Sequence, residues 1–507
     1  MLAKTASVAL VGADAFIIDV EVGLGSGLPG CSIVGLPSAP VREAEQRIRA
    51  ALTSVGSGWP GRRVIANLAP GALRKEGTHY DLALAMGVLS ANEEVPAASL
   101  EGWVIIGELA LDGSVRSVPG ALPASLATKH ARLRGVICPR INAAEAAMVE
   151  GVEVVPVTNL QECADFLKGG WKPRPIEVPP TPRRTPIEDL REVRGHPDAK
   201  FALEVAAAGG HNLLMFGPPG SGKTMLARRL PGILPSMTLD EALEVTRIRS
   251  VSGMLTDGCD LIEQRPFRAP HHHVSLAGLI GGGSGLPRPG EVSLAHHGVL
   301  FLDEVGLFSR HILDSLRAPL EDGVVVIARS MGAVRFPCRF SLIAAMNPCP
   351  CGFLGDPQRA CRCSPMQLSS YAAKLTGPLL DRIDMQISVG RVGKSQLLGA
   401  PEGESSEQVR ARVEMCRAIQ MHRYGSAVMT NASVPRSSLE MHMHLSATAN
   451  VFLGSAIDLL RLSGRGLDRL MRVARTVADL DGSDVVSDDH LGRAIGFRTS
   501  VTEEVLV

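Results

Sequence analysis

A glycine-rich segment, Gly217-Pro218-Pro219-Gly220-Ser221-Gly222-Lys223-Thr224, constrains the fold of this chain more than any other feature. It has the G-x-x-x-x-G-K-[ST] pattern of a P-loop and lies between an apolar run, 212–216, and a helical pattern from Met225. A strand, a glycine turn and a helix N-terminus in this order form an anion cradle, because backbone N–H groups and the positive helix end face the phosphates. We therefore predict bound ATP, with Lys223 at the β/γ-phosphates and Thr224 on Mg²⁺. A glycine turn that binds nothing is the alternative.

Two properties of the whole chain limit where it can act. No apolar run reaches the ~20 residues that span a bilayer, and the N-terminus lacks an apolar segment that ends at a cleavage site. We therefore predict a cytoplasmic protein without a membrane partner. The 52 basic and 52 acidic residues cancel, so any binding of nucleic acid needs a local groove or pore.

The pattern along the 507 residues predicts an α/β protein with three domains and a linker, at about 150 residues per domain. Residues 1–167 alternate apolar runs, glycine turns and helical patterns. Residues 168–187 contain six prolines and are expected to form a stiff linker. Residues 188–395 contain the P-loop. A polar break leads into residues 396–507, which are mostly helical in pattern, most clearly at 461–480.

A second apolar run, 298–302, ends in two carboxylates, Asp303 and Glu304. We expect this run to form a strand directly beside the P-loop strand in a parallel sheet. Its carboxyl end would place Asp303 near the Mg²⁺, held through water, and Glu304 near the γ-phosphate, where it polarises the attacking water. An acidic turn after a buried strand is the alternative.

Two further residues complete the candidate catalytic set. Asn347 follows the apolar run 340–346, and its amide can orient the attacking water, although a plain turn residue fits the pattern equally well. Arg382 follows a helical stretch and can neutralise transition-state charge on a neighbouring subunit's nucleotide, an effect of about 10³–10⁵ in rate. The alternative for Arg382 is a surface ion pair with Asp384.

Several motifs in residues 188–507 together carry a resemblance to a known family. They are Val193-Arg-Gly195, Ala206-Ala-Ala-Gly-Gly-His-Asn212, Phe267-Arg-Ala-Pro-His-His272, Leu302-Asp-Glu304, Met346-Asn-Pro-Cys-Pro-Cys-Gly352 and Gly377-Pro-Leu-Leu-Asp-Arg-Ile-Asp384. This region resembles the magnesium-chelatase-like branch of the AAA+ ATPases, and nearly the whole chain resembles YifB/ComM-type proteins. The resemblance implies a parallel sheet sandwiched by helices, a helical lid, and a ring, usually a homo-hexamer.

The same resemblance assigns roles to individual residues. It implies that Asn347 is sensor 1 and that Arg382 is an arginine finger acting in trans. It also implies a sensor-2 arginine near the start of the last long helical pattern. Arg465 is favoured by its place at the start of that pattern, and Arg469 is the second choice.

Residues 1–167 resemble the Lon-protease fold. A Lon-type site has a serine after a Lys-Asp-Gly-type turn and a lysine on a later helix. Here the turn reads Arg74-Lys75-Glu76-Gly77, and the alignment puts His79 at the serine position and Ser125 at the lysine position. Ser–Lys chemistry needs both members, so we expect a catalytically inactive domain without a peptidase substrate. A scaffold, or a collar that contacts a partner or DNA, is expected instead.

Four of the ten cysteines form two C-x-C pairs around a Gly-Asp-Pro turn: Cys349, Cys351, Cys361 and Cys363. Four thiolates on one loop can close a tetrahedral Zn²⁺ site, although this spacing is tighter than the usual C-x₂-C. Reduced thiols and a redox pair are the alternatives.

Two histidine clusters, 271–273 and 296–297, flank a glycine-rich segment at 281–285. A metal site is one interpretation. In the family this segment forms loops near the ring pore, so Arg288 and the histidines are candidates for contact with single-stranded nucleic acid. No interleaved aromatic residues that would stack on bases support this contact.

Three functions are compatible with these features. The resemblance implies an ATP-driven DNA motor, since ComM-type proteins are hexameric helicases that drive branch migration when DNA recombines during natural transformation. A metal-insertion ATPase like the magnesium-chelatase I subunit is the second function, but that subunit is shorter and lacks the Lon-like domain. A nucleotide-gated assembly scaffold is the third, and the complete catalytic set argues against it.

Overall fold

The computed structural model describes residues 2–176, 188–255, 261–283, 287–329, 332–355, 359–375, 382–393 and 403–498. These residues form an N-terminal α/β unit, a central α/β unit with the P-loop, and a C-terminal helical unit. The proline-rich part of the predicted linker, 177–187, and the predicted boundary near 395 lie outside them. No helix within the described ranges is long and apolar enough to cross a membrane.

A mixed seven-stranded sheet forms the N-terminal unit. The strands of the unit are β1 (Leu2–Val11), β2 (Asp14–Gly25), β3 (Gly30–Val34), β4 (Arg63–Ala69), β5 (Trp103–Ile105), β6 (Glu108–Leu109), β7 (Val115–Arg116), β8 (Gly135–Pro139) and β9 (Glu153–Val157). The sheet order is β3-β4-β2-β1-β5-β8-β9, and β6 pairs with β7 separately. In β4, Val64, Ala66 and Leu68 are buried and alternate with more exposed residues, as expected for a strand with one face on a core.

Helices cover this sheet. They are α1 (Ala39–Arg42), α2 (Ala44–Ser54), α3 (Asp81–Ala91), α4 (Ala121–His130), α5 (Ala143–Ala146) and α6 (Leu160–Leu167). Every residue of α3 is buried, so this helix forms the centre of the unit's core. Its first residue, Asp81, accepts hydrogen bonds from Arg47 of α2 at 2.6 and 2.9 Å, which pairs the buried carboxylate.

A five-stranded parallel sheet forms the central unit. Its strands are β10 (Leu213–Phe216), β11 (Phe267–Arg268), β14 (Val299–Leu302), β17 (Ser341–Met346) and β18 (Met385–Ser388), in the order β11-β14-β17-β10-β18. The expectation that the strand before Asp303 adjoins the P-loop strand is wrong, because β17 lies between β14 and β10 and pairs with both. Since all five strands are parallel, their carboxyl ends still meet at one edge.

Helices and two small antiparallel pairs surround this sheet. The helices are α7 (Pro197–Gly209), α8 (Lys223–Ile233), α9 (Leu239–Ser252), α10 (Leu276–Ile280), α11 (Glu291–Leu294), α12 (Arg310–Ser315), α13 (Arg317–Asp322) and α14 (Pro365–Leu375). β12 (Gly281–Gly282) pairs with β13 (Arg288–Pro289), and β15 (Val324–Arg329) pairs with β16 (Gly332–Pro337). A Cβ added at Gly281 would lie 2.9 Å from Ile327 Cδ1, so the two pairs pack against each other.

The C-terminal unit is helical. It contains α15 (Ser406–Tyr424), α16 (Arg436–His442), α17 (Ala447–Leu460), α18 (Gly464–Leu480), α19 (Asp488–Gly496) and a short parallel pair, β19 (His444–Leu445) with β20 (Val485–Val486). The helix predicted from residue 461 begins at Gly464 instead. Arg461 has a left-handed backbone (φ 46°) after α17, and Ser463 caps α18 by accepting a hydrogen bond from the Gly466 N–H.

In the described residues, the N-terminal unit contacts the central unit through the turn between β1 and β2 and along α9. Ala13, in the turn between β1 and β2, is buried in the apolar cluster that includes residues of β15 and β16. Along α9, Arg247 Nη1 donates to Asp14 Oδ1 at 2.8 Å, and the Ser250 hydroxyl donates to the buried carboxylate of Glu145. These contacts tie α9, an element of the central unit, to the N-terminal sheet and α5.

Candidate active site

The glycine turn connects β10 to α8 and leaves room for a ligand. A Cβ added at Gly217 would overlap the Val389 carbonyl oxygen, so no larger residue fits there. Gly220 and Gly222 have φ angles of +76° and +94°, and within the described residues no atom lies within 4 Å of a Cβ added at Gly220. An open turn of left-handed glycines at a helix N-terminus fits a phosphate group.

Lys223 is folded into this turn. Its Nζ donates to the carbonyl oxygens of Gly217 at 2.8 Å and Pro218 at 2.9 Å, and to Asn347 Oδ1 at 3.3 Å. Burial lowers the pKa of Lys223, and the nearby carboxylates of Asp303 and Glu304 act in the opposite direction. Phosphate oxygens can replace the carbonyl acceptors without moving the lysine out of the turn.

The residues predicted to hold Mg²⁺ are in contact. Thr224 Oγ1 donates to Asp303 Oδ2 at 2.8 Å, across the strand that separates β10 from β14. A hydroxyl beside a carboxylate supplies the hard oxygen ligands that Mg²⁺ prefers, directly or through water. The next residue, Glu304, is exposed and has a left-handed backbone (φ 50°), with its N–H donating to Asp303 Oδ1 at 3.0 Å. Strained backbone of this kind is concentrated at functional sites.

Asn347 lies at the carboxyl end of β17, between the P-loop strand and the strand of Asp303. Its amide oxygen faces Lys223, and its carbonyl oxygen accepts a hydrogen bond from the Tyr371 hydroxyl at 3.2 Å. The Tyr371 ring packs against Gly306, where an added Cβ would overlap it. The structure therefore places the asparagine beside both the P-loop and the turn that follows Glu304.

Two residues of the site, Tyr371 and His196, have no signal in the sequence pattern, and a third, His272, lies in a motif that gave no indication of its position. Tyr371 is recognisable only through its packing. His272 lies close enough to Glu304 for their charges to interact, and its ring meets Phe308 edge-on at 6.4 Å. His196 packs beside Gly222, where its Nε2 would be 3.6 Å from an added Cβ. The quoted histidine motif points to His272, but its position beside Glu304 depends on the tertiary fold.

Arg382 lies at the opposite edge of the sheet. It precedes β18, and its carbonyl oxygen accepts a hydrogen bond at 3.0 Å from Asn212, which precedes β10. The P-loop follows β10, so four residues of strand, about 13 Å, separate Arg382 from the nucleotide edge of its own subunit. Arg382 forms an ion pair with Glu321 of α13. The helical stretch expected before Arg382, at 376–381, lies outside the described residues.

The two candidates for sensor 2 lie one turn apart on α18. Arg465 is exposed on the first turn. Arg469 is mostly buried, and its Nε lies 3.8 Å from Asp384 Oδ1. The same carboxylate accepts a hydrogen bond from the Asn212 N–H at 3.0 Å, so Arg469 is tied to the start of the P-loop strand.

The four clustered cysteines converge, with all Sγ atoms within 4.8 Å of one another. The Sγ of Cys349 lies 3.3 Å from Cys351 and 3.7 Å from Cys361, and Cys351 lies 3.6 Å from Cys361. A tetrahedral Zn²⁺ site with Zn–S bonds of about 2.3 Å needs sulfurs about 3.8 Å apart. The four thiols, Cys363 included, are free of disulfides, and N–H groups of Arg362 and Phe353 lower the pKa of Cys351 to about 6.

Hydrogen bonding argues against a metal at His296 and His297. Both Nε2 atoms lie 2.8 Å from Glu244 Oε2, but His296 Nδ1 accepts the Arg339 N–H at 2.9 Å. His296 Nε2 must therefore carry the proton that it shares with Glu244, whereas a metal ligand would need that nitrogen bare and its other N–H donated. In the second cluster, the three ring nitrogens of residues 271–273 also lie within 4.8 Å of one another.

The positions aligned to the Lon-type catalytic pair are buried. His79 is 3% exposed and Ser125 is fully buried. His79 Nε2 donates to the Val8 carbonyl oxygen at 2.8 Å, and burial lowers the pKa of His79 to about 4. Neither side chain can reach a peptide substrate in this arrangement.

The central unit has an α/β P-loop core, with the phosphate turn and the acidic strand end at one edge of a parallel sheet. Family models described as "Subunit ChlI of Mg-chelatase", "Magnesium chelatase, subunit ChlI" and "Magnesium chelatase, subunit ChlI C-terminal" match residues 20–142, 189–397 and 403–498. The chain is also similar to characterised and uncharacterised relatives over nearly its full length.

Competence protein ComM of Haemophilus influenzae is 41% identical, covering 99% of this chain and 98% of that protein. The uncharacterized protein YifB of Escherichia coli is 40% identical, covering 97% and 96%. The magnesium-chelatase 38 kDa subunit of Rhodobacter capsulatus is 26% identical, covering 61% of this chain and 85% of that subunit. The chain therefore belongs to the YifB/ComM family of magnesium-chelatase-like proteins, an AAA+-like ATPase family.

Proposed function

We propose that this protein hydrolyses ATP to ADP and phosphate with Mg²⁺. The observation that carries the proposal is the 2.8 Å contact between Thr224 Oγ1 and Asp303 Oδ2 beside the open phosphate turn. Bound Mg²⁺ would neutralise charge on the phosphate oxygens. Lys223 holds the β/γ-phosphates, Glu304 polarises the attacking water, and the Asn347 amide orients that water.

Two substitutions test this assignment. We expect Lys223→Ala to abolish phosphate release and Glu304→Gln to slow it at least about 100-fold while ATP still binds. Lys129→Ala, in α4 of the N-terminal unit, is the matched lysine control and should hydrolyse at the wild-type rate. Wild-type hydrolysis by both site variants would refute the assignment.

We propose that the active form is a homo-hexameric ring in which Arg382 completes the neighbouring subunit's site. Its position about 13 Å from its own nucleotide edge supports action in trans. Mixing equal amounts of the Arg382→Ala and Lys223→Ala proteins should recover activity. In a mixed ring, the intact P-loop of an Arg382→Ala subunit can lie next to the intact Arg382 of a Lys223→Ala subunit. Arg465 remains the proposed sensor 2 because of its exposed place on the first turn of α18, and Arg469 remains the second choice.

We propose DNA as the substrate of this motor, with branch migration in recombination or natural transformation as the process. The support is full-length similarity to a competence protein, together with exposed arginines on the packed antiparallel pairs, Arg288 on β13 and Arg335 on β16. DNA should stimulate ATP hydrolysis, and a three-strand junction should be resolved in an ATP-dependent way. Arg288→Ala should weaken that stimulation, and Arg310→Ala, which changes another exposed arginine, on α12, should not.

Metal insertion is the competing function, and the same assay separates the two. The similarity to the chelatase subunit covers only 61% of this chain, whereas the similarity to the competence protein covers 99%. If no DNA structure stimulates hydrolysis, the motor is refuted and the chelatase-like function is favoured. Residues 1–167 are proposed to act as an inactive Lon-like collar in the cytoplasmic ring, and the burial of His79 and Ser125 supports the lack of peptidase activity.

We propose a structural Zn²⁺ at Cys349, Cys351, Cys361 and Cys363. Their sulfur separations support tetrahedral thiolate coordination. Metal analysis of protein purified without chelator should give about one zinc per chain, lost in Cys361→Ser and kept in Cys31→Ser, a thiol of the N-terminal unit. Absence of stoichiometric zinc would leave a reduced thiol cluster or a redox pair.

A further inference from the structure

The four-cysteine cluster (Cys349, Cys351, Cys361 and Cys363) adjoins the candidate active site, because Cys349 closely follows β17, the strand that ends just before Asn347. Asn347 is two residues before Cys349, and the intervening residue is Pro348, so little backbone freedom separates the asparagine from the first thiol. Cys349 is fully buried, and its Sγ accepts the Leu354 N–H at 3.3 Å. Cys349 is the first of the four proposed metal ligands, and its position therefore also determines the position of Asn347.

The turn from Cys349 to Gly352, which contains the first C-x-C pair, packs on the P-loop. Gly352 has a φ of +82°, and a Cβ there would lie 2.5 Å from Pro219 Cγ, so the glycine backbone itself touches the phosphate turn. Close-packed contacts of this kind transmit displacements, because a shift toward the neighbour produces a clash and a shift away leaves a void. Movement of the cysteine loop would therefore change the P-loop between Gly217 and Gly220.

A third contact is made by the helix that follows the cluster. Tyr371 of α14 donates to the Asn347 carbonyl oxygen at 3.2 Å, and its ring packs on Gly306, two residues after Glu304. The turn after the first two cysteines thus contacts the phosphate turn through Gly352, and Asn347 is linked to the segment that follows Glu304 through Tyr371. Among the described residues, a backbone hydrogen bond from the Gly352 N–H to the Cys349 carbonyl oxygen at 2.9 Å closes the turn that contains the first two thiols.

We propose that metal in the cysteine cluster positions Asn347 and Pro219 and thereby controls the rate of ATP hydrolysis. The metal is a thiolate-preferring divalent ion, Zn²⁺. With the ion bound, four Zn–S bonds hold both C-x-C pairs against the P-loop. Without it, the adjacent sulfurs have no strong attraction, the loop relaxes, and the amide of Asn347 leaves the line of the attacking water. This inference rests on the proposed ATPase and on the proposed zinc.

The test uses the full-length wild-type protein. Zinc is removed with ortho-phenanthroline, excess Mg²⁺ is restored, and kcat and KM for ATP are measured before and after addition of one equivalent of Zn²⁺. We expect kcat to fall about 10-fold or more with a smaller change in KM, since a group that acts in the transition state is misplaced, and to recover with zinc. The excess Mg²⁺ that is present before zinc is added should not restore kcat by itself.

Two variants break the contacts while leaving every thiol in place. Gly352→Ala displaces the turn from Pro219, and Tyr371→Phe removes the hydroxyl that holds Asn347. Both should retain one zinc per chain and lose kcat, whereas Cys31→Ser should change neither. If Cys361→Ser fails to fold, these variants and the stripped wild-type protein still decide the question.

The outcomes separate this inference from the function on which it rests. Unchanged kcat after complete removal of zinc would overturn the coupling and leave the ATPase standing. If the purified protein hydrolyses ATP but contains no stoichiometric zinc, the proposed role of the metal is refuted. Hydrolysis that survives Lys223→Ala would instead refute the proposed ATPase site. Loss of kcat that zinc restores would support the coupling.

Discussion

A buried hydrogen bond joins the two α/β units, and its removal tests whether they unfold together. The Ser250 hydroxyl of α9 donates to Glu145, which also accepts the Leu122 N–H at 2.8 Å and the Asn142 amide at 3.2 Å. Glu145 is 7% exposed, and burial raises the pKa of its carboxyl group while these donors oppose the rise. Ser250→Ala removes one donor at a buried position.

The magnitude follows from the burial of this contact. A hydrogen bond to a charged group contributes about 1.5–3 kcal/mol. The neighbouring pair between Arg247 and Asp14 contributes only about 0.2–1 kcal/mol, because Asp14 is 57% exposed. At a urea m-value of about 2 kcal/mol/M, we expect Ser250→Ala to lower the midpoint for unfolding of the N-terminal unit by about 0.7–1.5 M.

Tryptophan fluorescence makes the assay specific to one side of the contact. All three tryptophans, Trp59, Trp103 and Trp171, lie in the N-terminal unit, whereas Ser250 lies in the central unit. Ser252→Ala is the matched control, because that hydroxyl donates at 2.7 Å to Arg249 O within α9. Equal fluorescence midpoints for Ser250→Ala and Ser252→Ala would refute the view that the contact stabilises the N-terminal unit.

Three further predictions concern single residues. Asp303→Asn should raise the Mg²⁺ concentration needed for half-maximal ATPase activity about 10-fold or more, because the Mg²⁺ site at Thr224 loses its carboxylate. A Mg²⁺ titration of phosphate release measures this change. The pKa of His79 is about 4 in the folded protein and 6.5 when the side chain is exposed. Between these two pH values, the unfolded chain therefore binds a proton that the folded protein does not bind. Stability should therefore fall as pH drops from 6.5 to 4, by at most about 3 kcal/mol, and His79→Gln should flatten this dependence in urea titrations. Asp479→Asn should cost about 3–5 kcal/mol, because two arginines in the C-terminal unit lose their buried partner; thermal unfolding followed by circular dichroism checks it.

The local parts of the site were predictable from the sequence, because their physics is local. A strand, the glycine turn and a helix start are adjacent in the chain at residues 213–233, and left-handed φ angles at Gly220 and Gly222 need glycine. Apolar runs followed by polar residues likewise predicted that Asp303 and Asn347 end parallel strands. Periodicity indicated the helix of Arg465, although its start is set by the Ser463 cap and lies three residues later than expected.

The order of the strands and the contacts across the site could not be predicted in this way. Nothing in residues 298–304 shows that β17 intervenes before the P-loop strand, because strand order depends on how crossover helices pack. The contact of Gly352 with Pro219 joins segments more than a hundred residues apart. Likewise, the partner of Glu145 is Ser250, and neither residue belongs to a motif. Pairings of this kind are decided by the assembled core.

Helix α9 connects the N-terminal unit to the segment before β14, the strand that ends beside Asp303 of the proposed Mg²⁺ site. In the first half of α9, Glu244 accepts hydrogen bonds at 2.8 Å from His296 and His297, which are followed by Gly298 and then by β14, the strand that ends beside Asp303. These donors hold the pKa of Glu244 well below its usual range, so the Glu244 carboxylate in this contact stays charged at neutral pH. At the other end, Ser250 reaches Glu145. Because a helix is stiff along its axis, we expect a displacement of β14 on Mg²⁺ binding to move the N-terminal contact or to weaken one of the two carboxylate contacts. Mg²⁺ with ATP should therefore shift the tryptophan-detected unfolding of the wild-type protein, and the shift should shrink in Ser250→Ala but not in Ser252→Ala.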